Sequence, residues 1–356
     1  MLTILPLSPP LRPLKIAHIM AGSATGGAEL FYERLCLAQT ASGMSILPIL
    51  RPHAARVQLL RDGGLIPIEL PFGGFTDFST RRHIRRALQA FAPRIAVAWM
   101  NRAARFMPRP QKSDSWITVG RLGGFYDLSY YRHCTHLIGN TRGITQWICQ
   151  QGWATDRVHY LPNFVADLAG IPPTLPDCLP KNTPFLLALG RLHPNKGFDV
   201  LIRALRNVPR LPLVIVGEGP ERPALEALIR QECLTERVFL PGWITNPGGL
   251  IRACSVLVCP SRHEPLGNVI LEGFSAACPV VATAAQGPTE LICPSKNGLL
   301  TPIDDAKSLA HALNEVIENP HLAQQIAQGG RHSYEQFFTP QRVLNAWHHF
   351  ATTIEA

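Results

Sequence analysis

Short apolar runs of strand length recur along this chain, separated by helix-length stretches, and the pattern starts twice. Lys15–Met20, Ser45–Leu50, Leu65–Leu70, Arg94–Ala98, Trp116–Val119, His136–Gly139 and Val158–Leu161 form the first series. Phe185–Leu189, Leu213–Val216, Val238–Leu240, Val256–Cys259 and Val280–Ala282 form the second. Helices are expected between them at Ala28–Thr40, Phe198–Asn207, Glu221–Glu232, Pro247–Cys254, Gly267–Ala277, Asp305–Glu318 and His321–Gln336, with a last one at Pro340–Thr353. Strands that alternate with helices pack as a parallel sheet covered on both faces, and such strands read as unbroken apolar runs. The expected fold is therefore α/β, with two Rossmann-like doubly wound domains.

The break between the series is Gly170-Ile171-Pro172-Pro173-Thr174-Leu175-Pro176-Asp177-Cys178-Leu179-Pro180, a stretch whose prolines favour a stiff spacer over a regular element. The expected organisation is a first domain over 1–168, a linker over 169–184, a second domain over 185–338, and a terminal helix over 339–356 returning to the first domain. A length of 356 residues agrees with two cores better than one.

Hydrophobic residues make up 46% and charged residues 17%, a balance that excludes disorder. No run approaches the ~18 apolar residues of a membrane span. The first residues, MLTILPLSPPLRPLK, lack a basic segment followed by a sustained apolar one and read as a leader, not a signal peptide. Nine cysteines at irregular spacing point to reduced, mostly buried thiols and a cytoplasmic location. His133-Cys134-Thr135-His136 does not present its side chains to one ion if extended, so it reads as structural and no metal site is expected. The formal charge of +9 favours anionic partners: nucleotides, phosphorylated glycans or an anionic membrane surface. Nucleic acid is electrostatically allowed, but no recognition module for it is present. Basic residues concentrate at Arg81-Arg82-His83-Ile84-Arg85-Arg86 and from Arg102 to Arg109.

Three segments carry chemistry. Cys259 to Gly273 (CPSRHEPLGNVILEG) leaves a strand, turns at Pro265 and Gly267 and enters a helix, whose first N–H groups suit a phosphate. Glu264 sits in the turn and Glu272 within the helix, about 9 Å along the axis from Leu266. That separation suits two sugars of an extended ligand better than an acid/base dyad. Gly190 to Asp199 (GRLHPNKGFD) also joins a strand to a helix, with Arg191 able to fork two diphosphate oxygens and Lys196 adding a point charge. Gly22 to Glu29 (GSATGGAE) is a glycine turn that admits an anion near the backbone, without P-loop or GxGxxG spacing.

Taken together, GGAE at Gly26–Glu29, LPN at Leu161–Asn163, GRLHPNKGFD at Gly190–Asp199, VGEGPER at Val216–Arg222, E-x7-E from Glu264 to Glu272 and GPTELI at Gly287–Ile292 resemble glycosyltransferase family 4 (group 1 glycosyl transferases), over roughly Lys15 to Phe350. The resemblance implies the GT-B fold, in which two Rossmann-like domains face across a cleft. It implies transfer of a hexose-type sugar from a nucleotide-diphosphate sugar with retention of anomeric configuration, without metal or other cofactor. Arg191 and Lys196 would hold the donor diphosphate, Glu272 the ribose, and Glu264 the donor sugar. Leu266, Gly267 and Asn268 would offer backbone N–H groups, Gly190 would line the same loop, and Gly26 and Gly27 would close the donor site. The favoured chemistry is same-face attack assisted by the leaving phosphate oxygen.

One departure stands out. Many relatives carry a His just after the strand near Thr118–Val119; here the sequence is Val119-Gly120-Arg121-Leu122-Gly123-Gly124-Phe125-Tyr126-Asp127. Arg121 and Asp127 become the acceptor-side candidates in what reads as a sugar-facing loop. The expected acceptor is a glycan or lipid-linked glycan of lipopolysaccharide or exopolysaccharide assembly, met on the inner face of the cytoplasmic membrane. The alternatives are a nucleotide-sugar epimerase or sugar-phosphate synthase on the same fold, or a non-catalytic sugar-nucleotide-binding subunit.

Overall fold

A computed structural model describes residues 13–22, 26–74, 77–209 and 211–355. The leader expected at the N-terminus lies outside these residues up to Arg12, as does the centre of the first glycine turn, Ser23 to Thr25. The chain divides into two compact units: the described residues of Met1–Asn140, Ile144–Leu161 and Leu344–Ala356, and those of Thr141–Gly143 and Pro162–Val343.

The first unit holds seven strands: β1 (Lys15–Met20), β2 (Ser45–Leu50), β3 (Ile68–Glu69), β4 (Ile95–Trp99), β5 (Ile117–Leu122), β6 (His136–Gly139) and β7 (Val158–Tyr160). They pair in parallel in the order β3-β2-β1-β4-β5-β6-β7. The central strands β4 and β5 are buried at every position, as a sheet covered on both faces requires. The run at Leu65–Leu70 contributes only Ile68–Glu69, at the sheet edge.

The second unit holds β8 (Leu186–Leu189), β9 (Leu213–Val216), β10 (Val238–Gly242), β11 (Val256–Cys259), β12 (Val280–Thr283) and β13 (Leu299–Thr301), parallel in the order β10-β9-β8-β11-β12-β13. β8, β9, β11 and β12 are fully buried. Side chains start the outer helices: Asp305 accepts from Lys307 N and Ser308 N, and Asn319 accepts from Leu322 N ahead of Pro320. β13 and the helix Gln286–Leu291 are elements the sequence reading did not anticipate.

The proline-rich segment does not stand apart as a spacer. It counts with the second unit, where Leu168, Leu175 and Leu179 pack on the core and Thr174 N donates to Gly249 O at 3.0 Å. Its prolines leave few backbone donors to satisfy, so it lies against the core without forming a strand.

The C-terminal helix Pro340–Thr353 completes the first unit from Leu344 onward. Trp347 is fully buried with its ring centroid 5.8 Å from that of His18, and Arg94 donates to Ala351 O (3.3 Å) and Ile354 O (2.7 Å). All nine cysteines are free and five are buried, in line with structural thiols. No helix among the described residues is long and apolar enough to cross a membrane.

Candidate active site

In each sheet the strand order reverses direction once. In the second unit this happens between β8 and β11, and ligands of open α/β sheets bind beyond the carboxyl ends of the strands that flank such a point. The segments leaving β8 and β11 are two of the three singled out in the sequence.

Gly190, with φ +149°, ends β8 and opens the loop to the short turn Pro194–Lys196 and the helix Phe198–Ala204. After β11 the chain turns through Pro260 to Gly267, which has φ +98° and precedes the helix Asn268–Ser275. Asn195 O accepts from Arg262 N (2.8 Å) and His263 N (3.2 Å), which ties the two loops together. Arg262 adds a fork to Asp199, both contacts at 2.8 Å, and further contacts to Asp304 (2.5 Å) and Pro194 O (2.8 Å). The Asp199 and Asp304 carboxylates hold the Arg262 guanidinium above its ordinary pKa. Gly197 sits at the crossing with φ +62°, and a Cβ there would lie 2.1 Å from Pro260 O. Only glycine permits both the backbone geometry and the approach.

This scaffold brings Lys196 and Glu264 together, Nζ to Oε2 at 2.5 Å, and Ser261 Oγ donates to the same oxygen at 3.3 Å. Burial alone would lower the Lys196 ammonium; the adjacent Glu264 carboxylate outweighs it and carries the value above its ordinary one. Burial also pushes the neighbouring Cys259 thiol up to about 11. Arg191 projects into solvent and makes no ion pair among the described residues. Glu272 is half-buried in the helix after Gly267. Leu266 is buried, and Asn268 Oδ1 accepts from the buried Asn163 Nδ2 at 2.9 Å.

In the first unit, Gly26 caps the helix Gly27–Ala41 without a side-chain bond, and the nearly buried Glu29 carboxylate fills the space where a Cβ of Gly22 or Gly26 would stand. Arg121 departs from expectation. β5 continues through Leu122, so Arg121 is a strand residue and not part of a loop. Only 2% exposed, it stacks over the rings of Trp99 (4.4 Å) and Phe31 (4.9 Å). Burial lowers its guanidinium to about 9, while Tyr126 pulls the other way. Asp127 is occupied locally: its Oδ1 accepts from Ser129 N at 2.9 Å and starts the turn Leu128–Tyr131, a bond that holds its pKa below the usual range.

Residues 178–333 match the family described as glycosyl transferases group 1. Lipopolysaccharide core biosynthesis glycosyltransferase LpsD of Rhizobium meliloti is 31% identical over 338 residues, which are 94% of this chain and 97% of LpsD. The chain belongs to the group 1 glycosyltransferases. LpsE of the same organism is 28% identical over 352 residues, covering 94% of this glycosyltransferase and 98% of LpsE. Among solved structures, Anabaena HepE in complex with UDP and glucose superposes with a TM-score of 0.79 at 22% identity, over 96% of this chain and 100% of HepE. The apo form of the lipopolysaccharide outer core galactosyltransferase WaaB gives 0.74 at 18% identity, over 95% and 99%. These likenesses establish the GT-B fold.

Sequence reasoning about this glycosyltransferase passed over the framework of the site: Ser261 on Glu264, and Asp199 and Asp304 on Arg262. The motif GRLHPNKGFD contained Asp199, but nothing in its spacing announced a partner in another loop.

Proposed function

We propose that this glycosyltransferase is a retaining, metal-independent member of family 4 that moves a hexose-type sugar from a nucleotide-diphosphate sugar to a glycan or lipid-linked glycan. Assembly of lipopolysaccharide core is the favoured setting, in the cytoplasm at the inner face of the membrane. The observation that carries the reading is the Lys196–Glu264 pair, held where the loops from β8 and β11 are tied at the switch point of the second sheet. The names of LpsD and LpsE support the core setting, and UDP in HepE supports a nucleotide donor.

In this reading Arg191 and Lys196 meet the diphosphate as it leaves, joined by N–H groups of Leu266, Gly267 and Asn268 and by the positive end of the helix they open. Gly190 leaves room for the diphosphate beside them. Glu272 accepts from the ribose hydroxyls and Glu264 from a hydroxyl of the transferred sugar. Lys196, paired with Glu264 in the structure, exchanges that carboxylate for phosphate oxygen and frees it for the sugar. The leaving phosphate oxygen takes the acceptor proton on the face from which it departs. Arg121, buried against Trp99 and Phe31, serves the framework of the first unit, and the exposed Asp127 stays an acceptor-side candidate.

A thermal-shift screen against UDP-, GDP-, ADP- and TDP-sugars tests the donor class, because a ligand bound to the folded state raises Tm by mass action. NMR of the product anomer and turnover in EDTA test retention and metal independence. No Tm shift with any donor, or an inverted product, overturns the corresponding part.

A further inference from the structure

The first unit contains a cavity of about 450 Å³ where the start of the helix Phe78–Phe91, the end of the helix Met100–Phe106 and the turn Leu128–Tyr131 meet. Its wall carries three guanidiniums, those of Arg81, Arg105 and Arg132. Arg81 donates to Arg105 O at 2.6 Å, which fixes its side chain across the gap between the helices. Neither Arg81 nor Arg132 has an ion-pair partner among the described residues. Loss of water, then the like charges of Arg132 and Arg105, hold Arg81 below its ordinary pKa. Nearby His133 is lowered by burial and by Arg81, Arg132 and Arg109, so the positive field extends past the cavity rim.

One carboxylate, Asp77, also lines the space. It accepts from Gly73 N (2.7 Å), Thr80 N (2.9 Å), Thr80 Oγ1 (2.6 Å) and Ser79 Oγ (2.9 Å), and is thereby spent on starting its own helix. Three aromatic residues also line it: the buried Phe106, Phe78, 80% exposed, and Tyr130, 37% exposed.

We propose that this cavity binds a phosphate monoester borne by the saccharide acceptor, an inference whose acceptor clause rests on the transferase reading. Arg81 and Arg132 meet there with no ion pair among the described residues, and the nearby Asp77 is engaged by its own helix start, so an anion would relieve their mutual repulsion. Guanidiniums suit phosphate because they present planar forks to its oxygens. A phosphate monoester brings close to two negative charges at neutral pH. The concavity favours a discrete small ligand over a lipid surface, and the volume is in the range of pockets for such ligands. Phe78 and Tyr130 offer apolar faces for the sugar carbons.

The test is calorimetric titration of the full chain with glucose 6-phosphate, inorganic phosphate and, as control, glucose, at near-physiological salt. Wild type, the double variant Arg81→Ala/Arg132→Ala, and Arg191→Ala are compared. The expected result is binding of both phosphates but not glucose, weakened about tenfold or more in the double variant and retained in Arg191→Ala. Unchanged Tm and donor binding in the double variant show that the fold and the donor site persist. Equal binding by wild type and double variant overturns the proposal. So does loss in Arg191→Ala alone, which assigns the phosphate to the donor loop. A third overturning result is no binding of either phosphate while the double variant loses co-sedimentation with phosphatidylcholine vesicles containing about one-fifth phosphatidylglycerol, which assigns the arginines to a lipid surface. Failure of donor binding in wild type, with phosphate binding intact, overturns the transferase reading and leaves the phosphate site standing.

Discussion

Lys196 Nζ and Glu264 Oε2 meet at 2.5 Å although 68 residues separate them in the chain. Two loops must be held together for that contact, and neither partner is exposed enough for water to replace the other fully. Lys196→Ala leaves the carboxylate without its counter-charge and, under the proposed function, removes a donor from the leaving diphosphate. Its kcat is expected to fall by about 10²-fold or more. Glu264→Gln keeps the shape and is expected to lower kcat with little change in donor affinity. Steady-state kinetics with the donor found in the screen checks both.

Arg191 provides the contrast, because it projects into solvent without an ion pair among the described residues. Arg191→Ala is expected to change folding stability by no more than about 0.5 kcal/mol. Donor affinity should nevertheless drop about tenfold or more, as for loss of a charge-assisted contact to phosphate. Urea unfolding beside donor titration separates the effects; a stability loss equal to the binding loss would contradict the assigned role.

Gly197 is where the loops cross. Gly197→Ala places a Cβ at φ +62° and 2.1 Å from Pro260 O, so the loops must move apart. A loss of about 2 kcal/mol or more is expected, with reduced donor binding even though no charged group is altered. Chemical denaturation and donor titration of the variant check it.

His18 gives the first unit a pH dependence. Trp99 Nε1 can only donate, and it reaches His18 Nδ1 at 3.1 Å; His18 Nε2 then carries the proton and donates to Gln39 Oε1 at 2.7 Å. Burial lowers the ring to about 4, with the Gln39 bond opposing and Arg121 assisting. The unfolded chain takes up a proton near pH 6.5 that the folded chain refuses until about 4. Stability from the neutral ring is therefore complete above 6.5 and lost as pH falls toward 4, by about 3 kcal/mol in all. NMR titration of the His18 ring should show it neutral at pH 5.5, and His18→Asn should flatten the stability profile over that window. A ring that titrates near 6.5 in the folded protein would contradict the buried neutral tautomer.

Much of the architecture was legible because buried parallel strands are written as uninterrupted apolar runs; β1, β2, β6, β9 and β11 have the bounds the sequence suggested. β13 was missed because Leu299–Thr301 is too short to show a period, and Gln286–Leu291 because Gly287-Pro288 reads as a breaker although proline fits a first helical turn. The end of β5 was misplaced at Val119 because Gly120-Arg121 resembles a turn. Gly120 is instead a strand position kept free of a side chain, since a Cβ there would lie 2.4 Å from the Tyr131 ring. Arg121 misled for a related reason: a charge reads as surface, and the rings of Trp99 and Phe31 that cover it come from other elements. The Lys196–Glu264 pair was legible only as two members of a motif set. The tie through Arg262, Asp199 and Asp304 was not, because long-range partners leave no periodic trace.

The terminal helix has a further consequence, in the order of synthesis. The first unit contains the earliest described residues, yet its core around His18 lacks Trp347, and its Arg94 lacks the carbonyls of Ala351 and Ile354, until the residues after Val343 emerge. The second unit, closed by Val343, has all its residues before that moment. On the ribosome the first unit, though all seven of its strands are made early, therefore waits without its covering helix through the translation of nearly two hundred further residues.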